Sequence, residues 1–71
     1  MADVSFEIIQ NLGVLESEGK WKKELNIVKW GENDPKFDLR AWSEDHAKFG
    51  KGISLSASEL QSLKDLLNSI S

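Results

Sequence analysis

Cysteine and tyrosine are absent from this 71-residue chain, and proline, methionine and histidine occur once each. Without cysteine there is no disulfide framework and no Cys-based zinc or iron–sulfur site. The single histidine, His46, leaves no His cluster for a catalytic zinc. No apolar run approaches the roughly 20 residues that a membrane-spanning helix needs, and the N-terminus lacks the basic-then-apolar order of a secretory signal. These absences lead to the expectation of a cytoplasmic protein with no metal, no cofactor and no membrane partner. The length allows one small domain, taken as residues 1–71.

Catalytic signals are also scarce. Gly50-Lys51-Gly52 lacks the length and the following pattern of a phosphate-cradling P-loop. Ser54 and Ser56 have no base spaced to activate them and read as strand and cap residues. Asp45-His46 beside Glu44 could act as a general base or metal ligand, but a lone His in a polar loop reads as a surface residue. The expectation is no enzyme, no catalytic residue and no small-molecule substrate.

Twelve acids against nine bases give a net charge of −3, which at first points away from nucleic acid. The distribution changes that. Between positions 20 and 51 stand eight basic residues (Lys20, Lys22, Lys23, Lys29, Lys36, Arg40, Lys48 and Lys51) against six acids, a net of +2. The flanks hold Lys64 against six acids, a net of −5. All three tryptophans, Trp21, Trp30 and Trp42, lie in the basic middle. Sign asymmetry of this kind marks a candidate contact region.

Hydrophobic periodicity predicts four strands and a helix. Residues 4–16 alternate with Val4, Phe6, Ile8, Leu12 and Val14 on one face, and Gly13 invites a bulge. A turn follows at 17–20. In 21–30 the odd positions carry the apolar centre (Trp21, Leu25, Ile27), and the even positions carry Lys22, Glu24, Asn26, Val28 and Trp30. A loop at 31–35 contains the only proline. In 36–43, Phe37, Leu39 and Ala41 face one way and Lys36, Asp38, Arg40 and Trp42 the other. Residues 44–50 read as a polar loop and 51–55 as a short strand. Ser56 and Glu59 form a capping box, and Leu60, Leu63, Leu67 and Ile70 give a helical apolar stripe. The fold class is therefore α+β: a four-stranded antiparallel sheet followed by one C-terminal helix (ββββα).

One helix covers one side of such a sheet. The other side keeps Lys22, Asn26, Trp30, Lys36, Arg40 and Trp42, and is expected to be open. Indoles beside Lys and Arg suit single-stranded nucleic acid, because bases stack on aromatic rings whatever their sequence and cations meet phosphate. Two other readings remain. The tryptophans could complete a core or a dimer contact, or the tryptophan face could be a protein-interaction module. A small core also favours oligomerisation, and Leu60, Leu63 and Leu67 are the expected dimer-interface residues.

The segment Lys51-Gly52-Ile53-Ser54-Leu55-Ser56, followed by Glu59-Leu60-Gln61-Ser62-Leu63-Lys64, resembles the strand and helix that end the domain of the transcriptional coactivator family called positive cofactor four. Phe37-Asp38-Leu39-Arg40-Ala41-Trp42 resembles its hydrophobic-Asp-Ile-Arg strand. Trp21-Lys22-Lys23-Glu24-Leu25-Asn26, the strand Lys36–Ser43 and the Asp45-His46 loop are similar to the short bacterial YdbC-like branch. The resemblance covers about residues 5–67. It implies a ββββα homodimer that binds single-stranded DNA or RNA with little sequence preference, with a role in transcription or DNA repair. Carried over by position, it implies contacts from Arg40, from Trp30 and Trp42 as stacking aromatics, and from Lys51. Val28 departs from the basic residue of eukaryotic members, and this sequence has no counterpart of their long Ser-rich acidic tail. The expected nucleic-acid contacts are thus Lys22, Trp30, Lys36, Arg40, Trp42 and Lys51.

Overall fold

The computed structural model describes residues 5–16 and 19–70. Val4 and the first half of the predicted turn lie outside them. Four strands, β1 (Phe6–Val14), β2 (Lys22–Trp30), β3 (Lys36–Trp42) and β4 (Phe49–Leu55), precede a helix, α1 (Ala57–Ile70). The sheet is an antiparallel meander in the order β1-β2-β3-β4. This is the predicted ββββα architecture. The fourth strand starts earlier than predicted, because Phe49 already pairs with Trp42.

Three register shifts bend the sheet. Two lie in β1, between Ile8 and Gln10 and between Asn11 and Gly13; one lies opposite the Arg40–Trp42 stretch of β3. Bulges add twist and curl a strand. They also break the strict parity expected of the first strand. Phe6 and Ile8 face Trp30 and Val28 across the ladder, but after the first shift Asn11 faces Asn26. In a flat sheet, β1 and β4 would stand about 14 Å apart, three strand spacings. Here the Phe6 and Phe49 ring centroids are 5.6 Å apart. The sheet therefore coils over one of its faces.

That curvature reverses the expected burial. The face predicted to be open is the concave one, and it holds every fully buried residue among those described: Trp42, Val28, Asn26 and Asp38. The opposite face, with Leu25, Ile27, Phe37 and Leu39, is only half-buried. The helix has no buried residue and leaves an apolar groove of about 620 Å³ between itself and the sheet, lined by Leu15, Leu25, Leu39, Leu60, Leu63 and Leu67. One face is thus complete within the chain and the other is not.

Two local devices position these elements. Gly52 lies opposite Arg40; a Cβ there would overlap Arg40 Cβ and the Leu39 carbonyl oxygen. The helix starts as predicted, with the Glu59 N–H donating to Ser56 Oγ (3.2 Å) and the Ser56 N–H donating to Glu59 Oε1 (2.8 Å). The Ser56 backbone N–H, followed by its hydroxyl, holds the Glu59 carboxyl below the usual glutamate range.

Three outcomes are expected. Gly52→Ala overpacks the β3–β4 contact and costs about 1–3 kcal/mol, read as a lower midpoint in urea. Ser56→Ala costs about 1 kcal/mol of stability. Because the folded pKa of Glu59 is depressed, its share of the cap is present above the ordinary glutamate range and is lost as pH falls through the folded value. The thermal midpoint of wild type should drop with acidification there, and less so in Glu59→Gln.

Candidate nucleic-acid interface

The concave face is an aromatic box with two carboxylates set into it. Phe6, Trp30, Trp42 and Phe49 come from all four strands and contact one another at centroid distances of 5.1 to 6.4 Å. The two indoles lie nearly parallel, 13° between planes, although they belong to opposite ends of β2 and β3. Only a coiled sheet brings them together.

The first carboxylate, Asp38, is completely buried. Arg40 donates to it through both Nε (2.6 Å) and Nη2 (2.8 Å), and the Ser54 hydroxyl adds a third bond at 3.0 Å. Asp38 and Arg40 are two apart on one strand and share a face, so the guanidinium folds back over its own strand. Gly52, without a side chain, leaves it room. The guanidinium carbon then stands over the Trp30 ring at 4.6 Å and near Phe49 at 5.5 Å. Bidentate pairing fixes its plane, and the ring beneath adds a cation–π contact.

The second carboxylate, Glu24, is nearly buried. His46 Nε2 reaches Oε1 at 3.0 Å and Oε2 at 2.9 Å. Asn26 and Asn11 donate to Oε1 at 3.2 and 3.4 Å, and Asn11 also donates to Asn26 Oδ1 at 2.7 Å. His46 has a φ of 59°, a conformation unfavourable for most L-residues. The anchor on Glu24 over-determines it, as such strained positions require. The expectation of a plain surface histidine is corrected: His46 pins the β3–β4 loop onto the sheet and packs on Trp42.

Trp30, Lys36 and Arg40 are brought together in an open cleft of about 430 Å³ that also includes Asn33, Asp34, Phe49 and Ser54. Lys22 and Lys51 are exposed but do not line it. Lys22 sits opposite Trp42 at the far end of β2. The expected open face needs its main correction at Trp42. That indole has no exposed surface, because the curled edge strands carry Phe6 and Phe49 over it, so it supports the site from beneath. Closure also removes the broad indole surface that a protein-docking reading of this face requires. Trp30 is half-buried and carries the Arg40 guanidinium on its ring. Neither indole N–H has a hydrogen-bond partner among the described residues.

Phe49, Asp38 and Ser54 were not among the expected site residues. Phe49 was legible as a large aromatic at the edge of an otherwise polar loop. Asp38 was legible from its i, i+2 relation to Arg40, which puts both on one face of β3. Leu60, Leu63 and Leu67 share the apolar groove described above, and Leu67 is 53% exposed. Among the described residues no group of three or more His, Asp or Glu could hold a metal ion, and no helix is long and apolar enough to cross a membrane.

An uncharacterized protein of Treponema pallidum (strain Nichols) is 43% identical over 70 residues, which cover 97% of this chain and 82% of that protein. The family model described as Transcriptional Coactivator p15 (PC4) matches residues 17–66. The matched span contains β2, β3, β4, the capping box and most of α1, and hence every residue of the Asp38–Arg40–Trp30 cluster. The chain belongs to the PC4 family of transcriptional coactivators, a nucleic-acid-binding and non-enzymatic family.

Proposed function

We propose that this protein is a homodimer that binds single-stranded DNA or RNA with little sequence preference, in support of transcription or DNA repair in the cytoplasm. The observation that carries the reading is the Arg40 guanidinium. It is fixed on Asp38, lies on Trp30 and borders an open cleft beside Lys36. Two of its nitrogens are committed to Asp38. Among the described residues Nη1 approaches only the Gly50 carbonyl, at 3.5 Å, and keeps donor capacity for a phosphate. A base stacks on the outer plane of the Arg40–Trp30 pair, since guanidinium and indole planes both take nucleobases. Lys36 meets the adjoining phosphate. Lys22 and Lys51, exposed beyond the cleft, add attraction along the strand, and Trp42 holds Trp30 in place.

The dimer is part of the proposal. Leu60, Leu63 and Leu67 line an apolar groove that this chain leaves open, and Leu66 and Ile70 add 63% and 80% exposed apolar side chains on the same helix. A second copy of the helix fits that chemistry, and small domains commonly complete their cores in this way.

The binding test is a titration with oligothymidylate across a salt series. Wild type should lose affinity with a log–log slope of about −0.7 per neutralised phosphate. Lys36→Ala should shallow the slope by about 0.7. Arg40→Ala strands a buried Asp38 carboxylate and should cost about 3–5 kcal/mol of stability, so Arg40→Lys is the informative variant. It keeps the charge, loses the fork, and should weaken binding roughly tenfold while remaining folded by circular dichroism. Unchanged affinity in both Lys36→Ala and Arg40→Lys would overturn the assignment. For the dimer, Leu67→Glu should convert the wild-type sedimentation of a dimer into that of a monomer or an unfolded chain; a wild-type monomer at micromolar concentration counts against it.

A further inference from the structure

Trp21 is the one tryptophan of the three with a well-exposed indole, at 44%. It stands just before β2, with the parity of Leu25 and Ile27 and so on the other face of the sheet from Arg40 and Trp30; Gly50 lies between the two, its carbonyl towards Arg40 and its Cα towards Trp21. A side chain at Gly50 would come within 3.9 Å of its six-membered ring and 3.6 Å of Ala41 Cβ. The six-membered ring of the indole therefore passes close to Gly50, where a side chain would touch it. Around it lies a second open cleft of about 380 Å³, lined by Lys20, Trp21, Ser43, Glu44, Asp45 and Lys48.

The far wall of this cleft is preformed. Within the β3–β4 loop, Ser43 N–H donates to the Lys48 carbonyl and His46 N–H to the Ser43 carbonyl, both at 3.0 Å. The Lys48 N–H donates to Ser43 Oγ at 3.1 Å. Asp45 Oδ1 accepts from the Ser43 hydroxyl at 2.9 Å and from the Ala47 N–H at 3.0 Å. The His46–Glu24 anchor ties the whole loop to the sheet. The Ala47 N–H, then the Ser43 hydroxyl, hold the Asp45 carboxyl below its usual range. It is an ionised acceptor at neutral pH with lone pairs to spare.

The charges in the cleft cancel: Lys20 and Lys48 against Glu44 and Asp45. A bare anion or a bare cation gains little there. A ligand that carries an aromatic plane, N–H donors and a phosphate satisfies all of them together. We propose that this cleft is a second contact for the same single strand, where a base bearing an exocyclic amine stacks on Trp21 and donates to Glu44 or Asp45 while Lys20 and Lys48 meet the neighbouring phosphates. The inference rests on the single-strand reading above and adds base preference to it. Cytosine and adenine present an exocyclic amine on the pairing edge, whereas thymine has a carbonyl oxygen at that position and can offer the carboxylates only its ring N–H, flanked by two oxygens that they repel. Carboxylate-to-amine contacts of this kind discriminate between bases.

The test compares oligodeoxycytidylate and oligothymidylate of equal length on the full chain. Wild type should bind the cytidylate about fivefold tighter or more. Trp21→Ala should weaken both, again by about fivefold or more, as expected for loss of one stacking ring. Glu44→Gln should narrow the difference between them. In wild type, the Trp21 indole N–H resonance, assigned by its loss in Trp21→Phe, should shift as cytidylate is added; this readout stands even if Trp21→Ala folds poorly. Trp21→Ala at wild-type affinity with an unmoved indole resonance, while Arg40→Lys still loses binding, overturns this inference and leaves the first cleft intact. Failure of the wild type to bind either oligonucleotide removes both. A lysine-rich peptide that shifts the Trp21 resonance where cytidylate does not also overturns it.

Discussion

A carboxylate with no access to water has to be met by a cation in the same place, and Asp38 imposes that condition on everything around it. Arg40 meets it with both prongs of its fork, so the guanidinium cannot swing outward as a free surface arginine would. Its position over Trp30, the absence of a side chain at Gly52 and the Ser54 hydroxyl at its edge all follow from accommodating that pair. Removing either partner would leave the other stranded in a desolvated site. The same geometry that neutralises Asp38 presents an arginine of fixed plane to the cleft. Such preorganisation spares a ligand the entropic cost of ordering a long side chain. Structural and recognition roles are therefore carried by one contact.

The coiling of the sheet divides the molecule into a finished face and an unfinished one. On the concave side, four aromatic rings pack on one another, Val28 is fully buried, and each buried carboxylate has its own partner, Asp38 with Arg40 and Glu24 with His46. On the convex side, leucines of the sheet and of α1 border a groove that one helix does not fill. A chain of this size has little core to spare. Leaving that face open in water would forfeit much of the hydrophobic stabilisation available to it, which is the physical case for a second copy.

The net charge of −3 shapes how such a protein meets a polyanion. Long-range attraction is weak, because the acids of β1, the loops and α1 offset the basic middle. Short-range contacts on planar groups then carry a larger share of affinity. The structure supplies two distinct planes for this: a guanidinium lying on an indole on the concave face and a part-exposed indole beside Gly50. Acidic residues that looked adverse in a charge count take specific places. Asp38 and Glu24 hold Arg40 and His46, and Asp45 braces a loop.

Period-two and period-3.6 patterns, one capping box and two turn signals determined the order of elements, the meander and the start of the helix, because these depend on residues near in sequence. Trp30, Lys36 and Arg40 were legible as a group because strand parity places them on one face. Parity could not say which face would be covered. That depends on curvature, which arises from bulges in β1 and β4 and from rings meeting across the sheet. Hence Trp42 was expected in the open and lies buried, Phe49 was expected in a loop and closes the box, and His46 was expected at the surface and anchors a buried glutamate twenty-two residues away in the chain. By itself the sequence determined the elements and the composition of each strand's two sides. Only the tertiary structure decided which side closes to solvent and which indole stays accessible, since burial is a property of how a sheet bends.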